Sequence, residues 1–186
     1  MYRLLKVKDV VRIPPRMFTM DPKEAAKSIL RETYEGWYDK EEGVILAVMD
    51  VEDIREGVIV HGDGATYHEV TFNVLTWKPF KDDVVEGEVV DAVPYGAFIR
   101  IGPMDGLVHV SQLMDDYVVF DEKNRQFLGK ESKKILKVGD HVRARIISVS
   151  AKSRKVRDNK ISLTMRQPGL GKIEWIEKEK KKGKGE

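Results

Sequence analysis

The chain has 186 residues, 41% hydrophobic and 34% charged, which supplies core material for one medium or two small domains. It has no cysteine, which excludes disulfides, thiolate catalysis and cysteine-ligated zinc; it also lacks any apolar run of ~18 residues and an apolar signal-peptide core, so a cytoplasmic protein is expected. The net charge of +2 divides unevenly, −3 over residues 1–80 and +5 over 81–186, with +8 concentrated in 137–172, the footprint of a surface that meets a polyanion.

Residues 2–13 read as a strand that Pro14-Pro15 ends, because proline offers no N–H to a ladder. Asp21-Pro22-Lys23-Glu24 is a helix start. Asp21 caps, Pro22 fits the first helical position and Glu24 stands where a capping box wants it. Ala25, Ala26, Ile29, Leu30 and Tyr34 then share one helical face, and Gly36 is the stop. Apolar runs follow at 43–51 and 57–60, then the turn Gly62-Asp63-Gly64. A strand at 66–77 alternates Val70, Phe72 and Val74. Residues 1–80 are therefore expected to form an α+β domain, a helix on a small antiparallel sheet. The boundary falls where Pro79 and charged residues interrupt the pattern.

Residues 81–168 are β-rich, with runs at 85–93, 96–101, 106–110, 140–150 and 160–165 separated by turn signals. Five short strands in about 80 residues predict an all-β five-stranded barrel of the oligonucleotide-binding (OB-fold) class. The polar insertion 111–138, with Tyr117, Phe120 and Phe127, is long enough to need its own helix or a partner to order it. Residues 169–177 read as a C-terminal packing segment, and 178–186 as a disordered charged tail.

In this barrel class the second and third strands form the middle of the binding face. Tyr95 precedes the second strand, Phe98 lies in it, and His109 lies in the third. Two rings and an imidazole there make a stacking platform for unpaired bases. Arg143 and Arg145 alternate with apolar residues in the fourth strand, and Lys152, Arg154, Lys155, Arg157 and Lys160 crowd the next hairpin. Together these basic residues suit a phosphate backbone. Each piece also has a plainer reading: a core phenylalanine, a hydrogen-bonded surface histidine, a solvated basic hairpin. Their coincidence in one small barrel favours RNA.

Catalytic arrangements are not found in the sequence. His61, Asp63 and His68 are candidates to lie near one another across the Gly62-Asp63-Gly64 turn as a metal site, but the turn itself explains the glycines without a ligand. No phosphate loop, paired metal-binding carboxylates or cofactor motif is present, so no catalytic residue, metal or cofactor is assigned.

The segments 87–101 (Gly-Glu-Val-Val-Asp-Ala-Val-Pro-Tyr-Gly-Ala-Phe-Ile-Arg-Ile), 105–113 (Asp-Gly-Leu-Val-His-Val-Ser-Gln-Leu), 138–146 and 160–166 resemble the RNA-binding domain named after ribosomal protein S-one. The segments 61–68 (His-Gly-Asp-Gly-Ala-Thr-Tyr-His) and 164–175 (Thr-Met-Arg-Gln-Pro-Gly-Leu-Gly-Lys-Ile-Glu-Trp) resemble the archaeal RNA polymerase E-prime subunits, whose eukaryotic counterpart is the seventh subunit of RNA polymerase II. The resemblance implies a stalk protein without catalytic activity, which forms a heterodimer with the RNA polymerase F subunit beside the RNA exit path. It implies that the N-terminal domain, with His61, Gly62, Asp63 and Gly64, docks on the polymerase core and influences the clamp. It further implies that the barrel meets emerging single-stranded transcript. Tyr95, Phe98 and His109 match the family's stacking positions, although the family usually has phenylalanine where Tyr95 stands. Either the insertion 111–138 or the segment 164–175, with Leu170, Ile173 and Trp175, is expected to face the F subunit. The alternative reading is a free-standing RNA-binding factor in translation or RNA decay.

Overall fold

The computed structural model describes residues 1–182, so the last four residues of the expected tail lie outside the described residues. The chain forms two compact units. One holds Met1–Lys78 with Ser153–Val156; the other holds Pro79–Lys152 and the residues from Arg157 onward.

The first unit contains β1 (Tyr2–Ile13), α1 (Pro22–Tyr34), β2 (Tyr38–Asp39), β3 (Gly43–Ile54), β4 (Val58–Ile59) and β5 (Thr66–Trp77). Its antiparallel sheet has the order β1-β5-β3-β2, with β4 paired to β5. β1 and β5 pair along their whole length, from Tyr2 opposite Trp77 to Ile13 opposite Thr66. Successive residues of β1 alternate faces: Leu5, Val7, Val11 and Ile13 join the core while Lys6, Lys8 and Arg12 face out. α1 lays Ala25, Ala26 and Leu30 on that core, with Val48, Val70, Phe72 and Val74 beneath. Its start is capped as the sequence predicts, since an Asp21 oxygen accepts the Lys23 and Glu24 N–H groups at 3.0 and 3.3 Å.

The second unit is built on β6 (Val84–Val93), β7 (Gly96–Arg100) and β8 (Asp105–His109). The insertion supplies β9 (Val118–Asp121), β10 (Gln126–Gly129) and β11 (Ile135–Lys137). β12 (His141–Ser150), β13 (Lys160–Thr164), the short β14 (Gly171–Lys172) and α2 (Ile173–Lys182) follow. β8, β7, β6 and β12 are neighbours in one sheet, and β13 pairs with both β8 and β12. That double pairing closes a five-stranded barrel, as the sequence predicts. Its interior holds Val89, Ala97, Ile99, Val108, Val142, Ala144, Ile146, Ile161 and Leu163, each at most 1% exposed.

The insertion differs from the expected helix, because its strands form a three-stranded sheet of their own, in the order β11-β10-β9. Phe127 stands opposite both Phe120 and Leu136, and that row turns inward, with Phe127 and Leu136 fully buried. The Asp116 carboxylate pins the start of the insertion. It accepts the Ser132 hydroxyl and N–H and the N–H groups of Glu131 and Tyr117, which lowers its pKa to about 2. The tail also departs from expectation as far as it is described, since α2 continues through Lys182. Glu174 and Glu177 stand one turn before Lys178 and Lys181, the favourable order for such pairs, and Lys134 ties the helix to the insertion through Glu179 at 3.1 Å.

Phe127→Ala removes the central ring of the insertion's buried row. Urea denaturation should show a loss of about 3–5 kcal/mol, with protease cleavage appearing within residues 117–135. Unchanged stability and protection would mean that another contact orders the insertion.

Candidate nucleic-acid interface

β6, β7 and β8 turn one face outward, and their register decides which side chains meet there. Phe98 of β7 lies opposite Leu107 of β8, and Gly96 lies opposite His109. Leu107 in turn lies opposite Ser162 of β13. Tyr95 precedes β7 in the turn, and its carbonyl accepts the Val110 N–H at 2.9 Å, fastening the turn to the end of β8. The Tyr95 and Phe98 rings meet edge to face, with centroids 6.4 Å apart and planes at 86°. Tyr95 is 53% exposed, Phe98 is half-buried and His109 is exposed.

His109 is oriented by its own backbone. The Ser111 N–H donates to Nδ1 at 3.3 Å, so in the neutral ring the proton sits on Nε2. The Ser111 hydroxyl lies 2.9 Å from the same Nδ1. Gly96 permits this arrangement, because a Cβ there would stand 2.2 Å from the Val108 carbonyl oxygen.

The predicted basic residues do not form one track. Lys160 begins β13, one residue before Ile161 pairs with Gly106 of β8, and is exposed. Arg143 is tied to Glu86 of β6 through Nε at 2.9 Å and Nη2 at 2.7 Å. Arg145 is half-buried with its Nε enclosed. Arg154 and Lys155 belong to the first unit. There the Arg154 guanidinium lies over the Trp37 ring at 5.2 Å, its carbonyl accepts the Tyr38 N–H, and Lys155 bridges to Trp37. Lys152 and Arg157 flank that segment, and Lys152 donates its N–H to the Asn159 side chain at 2.7 Å.

Two charged residues that the sequence did not single out border the rings. Asp91 of β6 lies opposite Phe98, and Arg125, in the turn between β9 and β10, reaches it at 3.4 Å. Nothing in local sequence joins positions 34 residues apart. The one signal was the extra residue in β6, visible only once its register was known.

In the first unit the turn at 61–64 is organised by Asp63. Its carboxylate takes two hydrogen bonds from Arg12, at 2.7 and 2.8 Å, one from the Tyr67 hydroxyl and one from the Ala65 N–H. Those donors, Arg12 foremost, hold its pKa well below the usual carboxylate range. Gly62 supplies the left-handed residue at φ 87°. His61 and Gly64 are exposed. The His68 ring has separate partners, the Arg55 carbonyl at Nδ1 and the Thr66 hydroxyl at Nε2. The sequence therefore placed Asp63 and His68 in one region, and the structure engages each with its own neighbours. Beside the turn, Val58, Ile59 and Val60 are exposed.

Gly96→Ala should destabilise the barrel by about 1–3 kcal/mol, because the clash is with a carbonyl oxygen that cannot swing away; an unchanged denaturation midpoint would refute the close approach. A depressed carboxylate stabilises fully above its unfolded value near pH 4, and that contribution fades as pH falls below it. The protection of the amides in residues 61–65, taken relative to their intrinsic exchange rates at each pH, should therefore fall between pH 5 and pH 3 in the wild type. In Asp63→Asn that protection should be low throughout, and a parallel pH response in that variant would exclude Asp63 as the cause.

Two domain families match the chain. The S1 RNA binding domain covers residues 78–165, and the SHS2 domain found in the N terminus of Rpb7p/Rpc25p covers residues 8–64. DNA-directed RNA polymerase subunit Rpo7 of Saccharolobus solfataricus is 48% identical over 97% of this chain and 100% of its own length. DNA-directed RNA polymerase II subunit RPB7 of Saccharomyces cerevisiae is 29% identical over 73% of this chain and 80% of its own. Ribonuclease R of Buchnera aphidicola is 34% identical, but over 47% of this chain and 13% of the enzyme.

Proposed function

The chain belongs to the Rpo7 family of DNA-directed RNA polymerase subunits, homologous to RPB7 of RNA polymerase II, and on that premise we propose that it is the polymerase's stalk subunit. In this reading it works in the cytoplasm, pairs with the polymerase's F subunit and contributes a binding surface rather than chemistry to the nucleotidyltransferase complex. The first unit docks on the polymerase core through the turn His61-Gly62-Asp63-Gly64 and influences the clamp. The exposed aliphatic run Val58–Val60 beside that turn supports a docking role, since a run of this kind is unfavourable in water and gains from a partner. The barrel takes the emerging single-stranded transcript.

The observation that carries the RNA reading is the edge-to-face pair of Tyr95 and Phe98, with His109 presented from the next strand. Half-exposed rings on a strand and on the hydrogen-bonded turn that leads into it offer flat faces to unpaired bases and tolerate any base, because every base has a π-face. Lys160 at the start of β13 adds a phosphate contact.

Changing Tyr95, Phe98 and His109 together to alanine should weaken binding of an unstructured RNA oligonucleotide by ~1–3 kcal/mol for each base that loses its ring. Fluorescence anisotropy on the full chain measures it. Unchanged affinity in a folded variant would move the RNA site elsewhere. For the assembly, affinity purification from the native cell should bring down the other polymerase subunits; their absence would contradict the stalk reading.

A further inference from the structure

The turn between β9 and β10 projects a cation to the edge of the ring platform. β6 carries a bulge between Val89 and Asp91. Val89 faces Ile99 and is buried, yet the next residue of β7, Phe98, faces Asp91 rather than Val90. The extra residue resets the alternation of faces, so Asp91 turns outward beside Phe98 while Ala92 and Ala97 pair inside. The Arg125 guanidinium reaches Asp91 Oδ1 at 3.4 Å, although its own side chain is 65% exposed.

The turn that holds Arg125 is rigid. Asp121 accepts the N–H groups of Lys123 and Asn124 through Oδ1, and the side-chain amides of Asn124 and Gln126 through Oδ2. Arg125 itself takes the left-handed conformation at φ 48°, which costs a residue with a Cβ and which glycine adopts freely. An arginine is therefore held, in a backbone conformation that suits glycine, at the β6 side of Phe98. Lys160 stands at the β13 side.

We propose that Arg125 is a phosphate-binding residue of the RNA site, and that the insertion forms the second wall of a groove whose floor is Phe98 and Leu107. This rests on the RNA reading of the barrel face. Asp91 holds the guanidinium in place, and a phosphate of a strand whose base stacks at Phe98 takes up the donors that Asp91 leaves. The fork of an arginine suits a phosphate better than a lysine ammonium does.

Four full-length proteins test the proposal against one RNA oligonucleotide across a salt series: wild type, Arg125→Gly, Asp91→Asn and Phe98→Ala. Glycine fits φ 48°, so Arg125→Gly removes the side chain while keeping the turn. It should weaken binding roughly 3–10-fold at 0.1 M salt and reduce the salt slope by about 0.7, the loss of one phosphate contact to a single strand. Asp91→Asn keeps an acceptor for the Ala92 N–H and removes a negative charge from the groove, so its binding should hold or tighten. If Arg125 only latched the insertion to the barrel, both variants would weaken binding together with no change in slope, and the proposal falls. It also falls if Arg125→Gly binds as wild type while Phe98→Ala weakens, which leaves the barrel reading intact. If Phe98→Ala and Arg125→Gly both bind as wild type, the barrel reading falls with it.

Discussion

The parallel pairing of β13 with β8 is the constraint on which the barrel depends. Ile161, Ser162 and Leu163 lie opposite Gly106, Leu107 and Val108, and β13 also pairs antiparallel with β12. With both neighbours satisfied, β7 and β8 are interior strands whose pleat is fixed, and every outward side chain has a determined position. Gly106 marks how close the fit is, because a Cβ there would meet the Leu163 side chain at 2.5 Å. Tyr95, Phe98 and His109 gain their rigidity from this closure. Stacking on a mobile loop would first have to offset the entropy of ordering it.

The same register makes the face asymmetric. On the β6 side the bulge brings out Asp91, and the insertion answers with Arg125. On the β13 side the outward residues are Ser162 and Lys160. Elsewhere four of the ten basic residues of 137–172 are engaged within the protein. Arg143 is held by Glu86 and Arg166 by Asp115, Lys172 is held between Asp140 and Glu174, and Arg154 covers Trp37. Net charge thus points to the C-terminal half as the candidate polyanion surface, while part of that charge serves internal ion pairs and ring packing.

The fold was legible where patterning is local. Alternation along residues 2–13 and 66–77 announced two long strands, Asp21-Pro22 announced the helix, and five runs with turn signals announced the barrel. The insertion was misread because its apolar residues fall in short runs separated by charged stretches. Phe120, Phe127 and Leu136 become a row only when three strands are laid side by side, which is a non-local fact. The end of the chain was misread for a different reason. Lysine and glutamate without apolar residues signal disorder by composition, yet both are good helix formers, and their one-turn spacing extends a helix that Ile176 has anchored. At the candidate site, Phe98 and His109 were visible as residue types on adjacent strands and Tyr95 in the turn before the first of them. The Asp91–Arg125 pair was not, because a bulge changes which face a residue occupies and leaves no mark in composition.

Membership of the Rpo7 family and the S1 and SHS2 matches agree with a chain of one RNA-binding barrel and one α+β unit. The central claim is that transcript lies on the outward face of β7 and β8. The most direct measurement is chemical-shift mapping of the isotopically labelled chain as a short unstructured RNA is titrated in. The account predicts perturbations centred on Tyr95, Phe98, Leu107 and His109 that saturate together. Perturbations confined to the first unit, or to β12 and α2 with the rings silent, would contradict it.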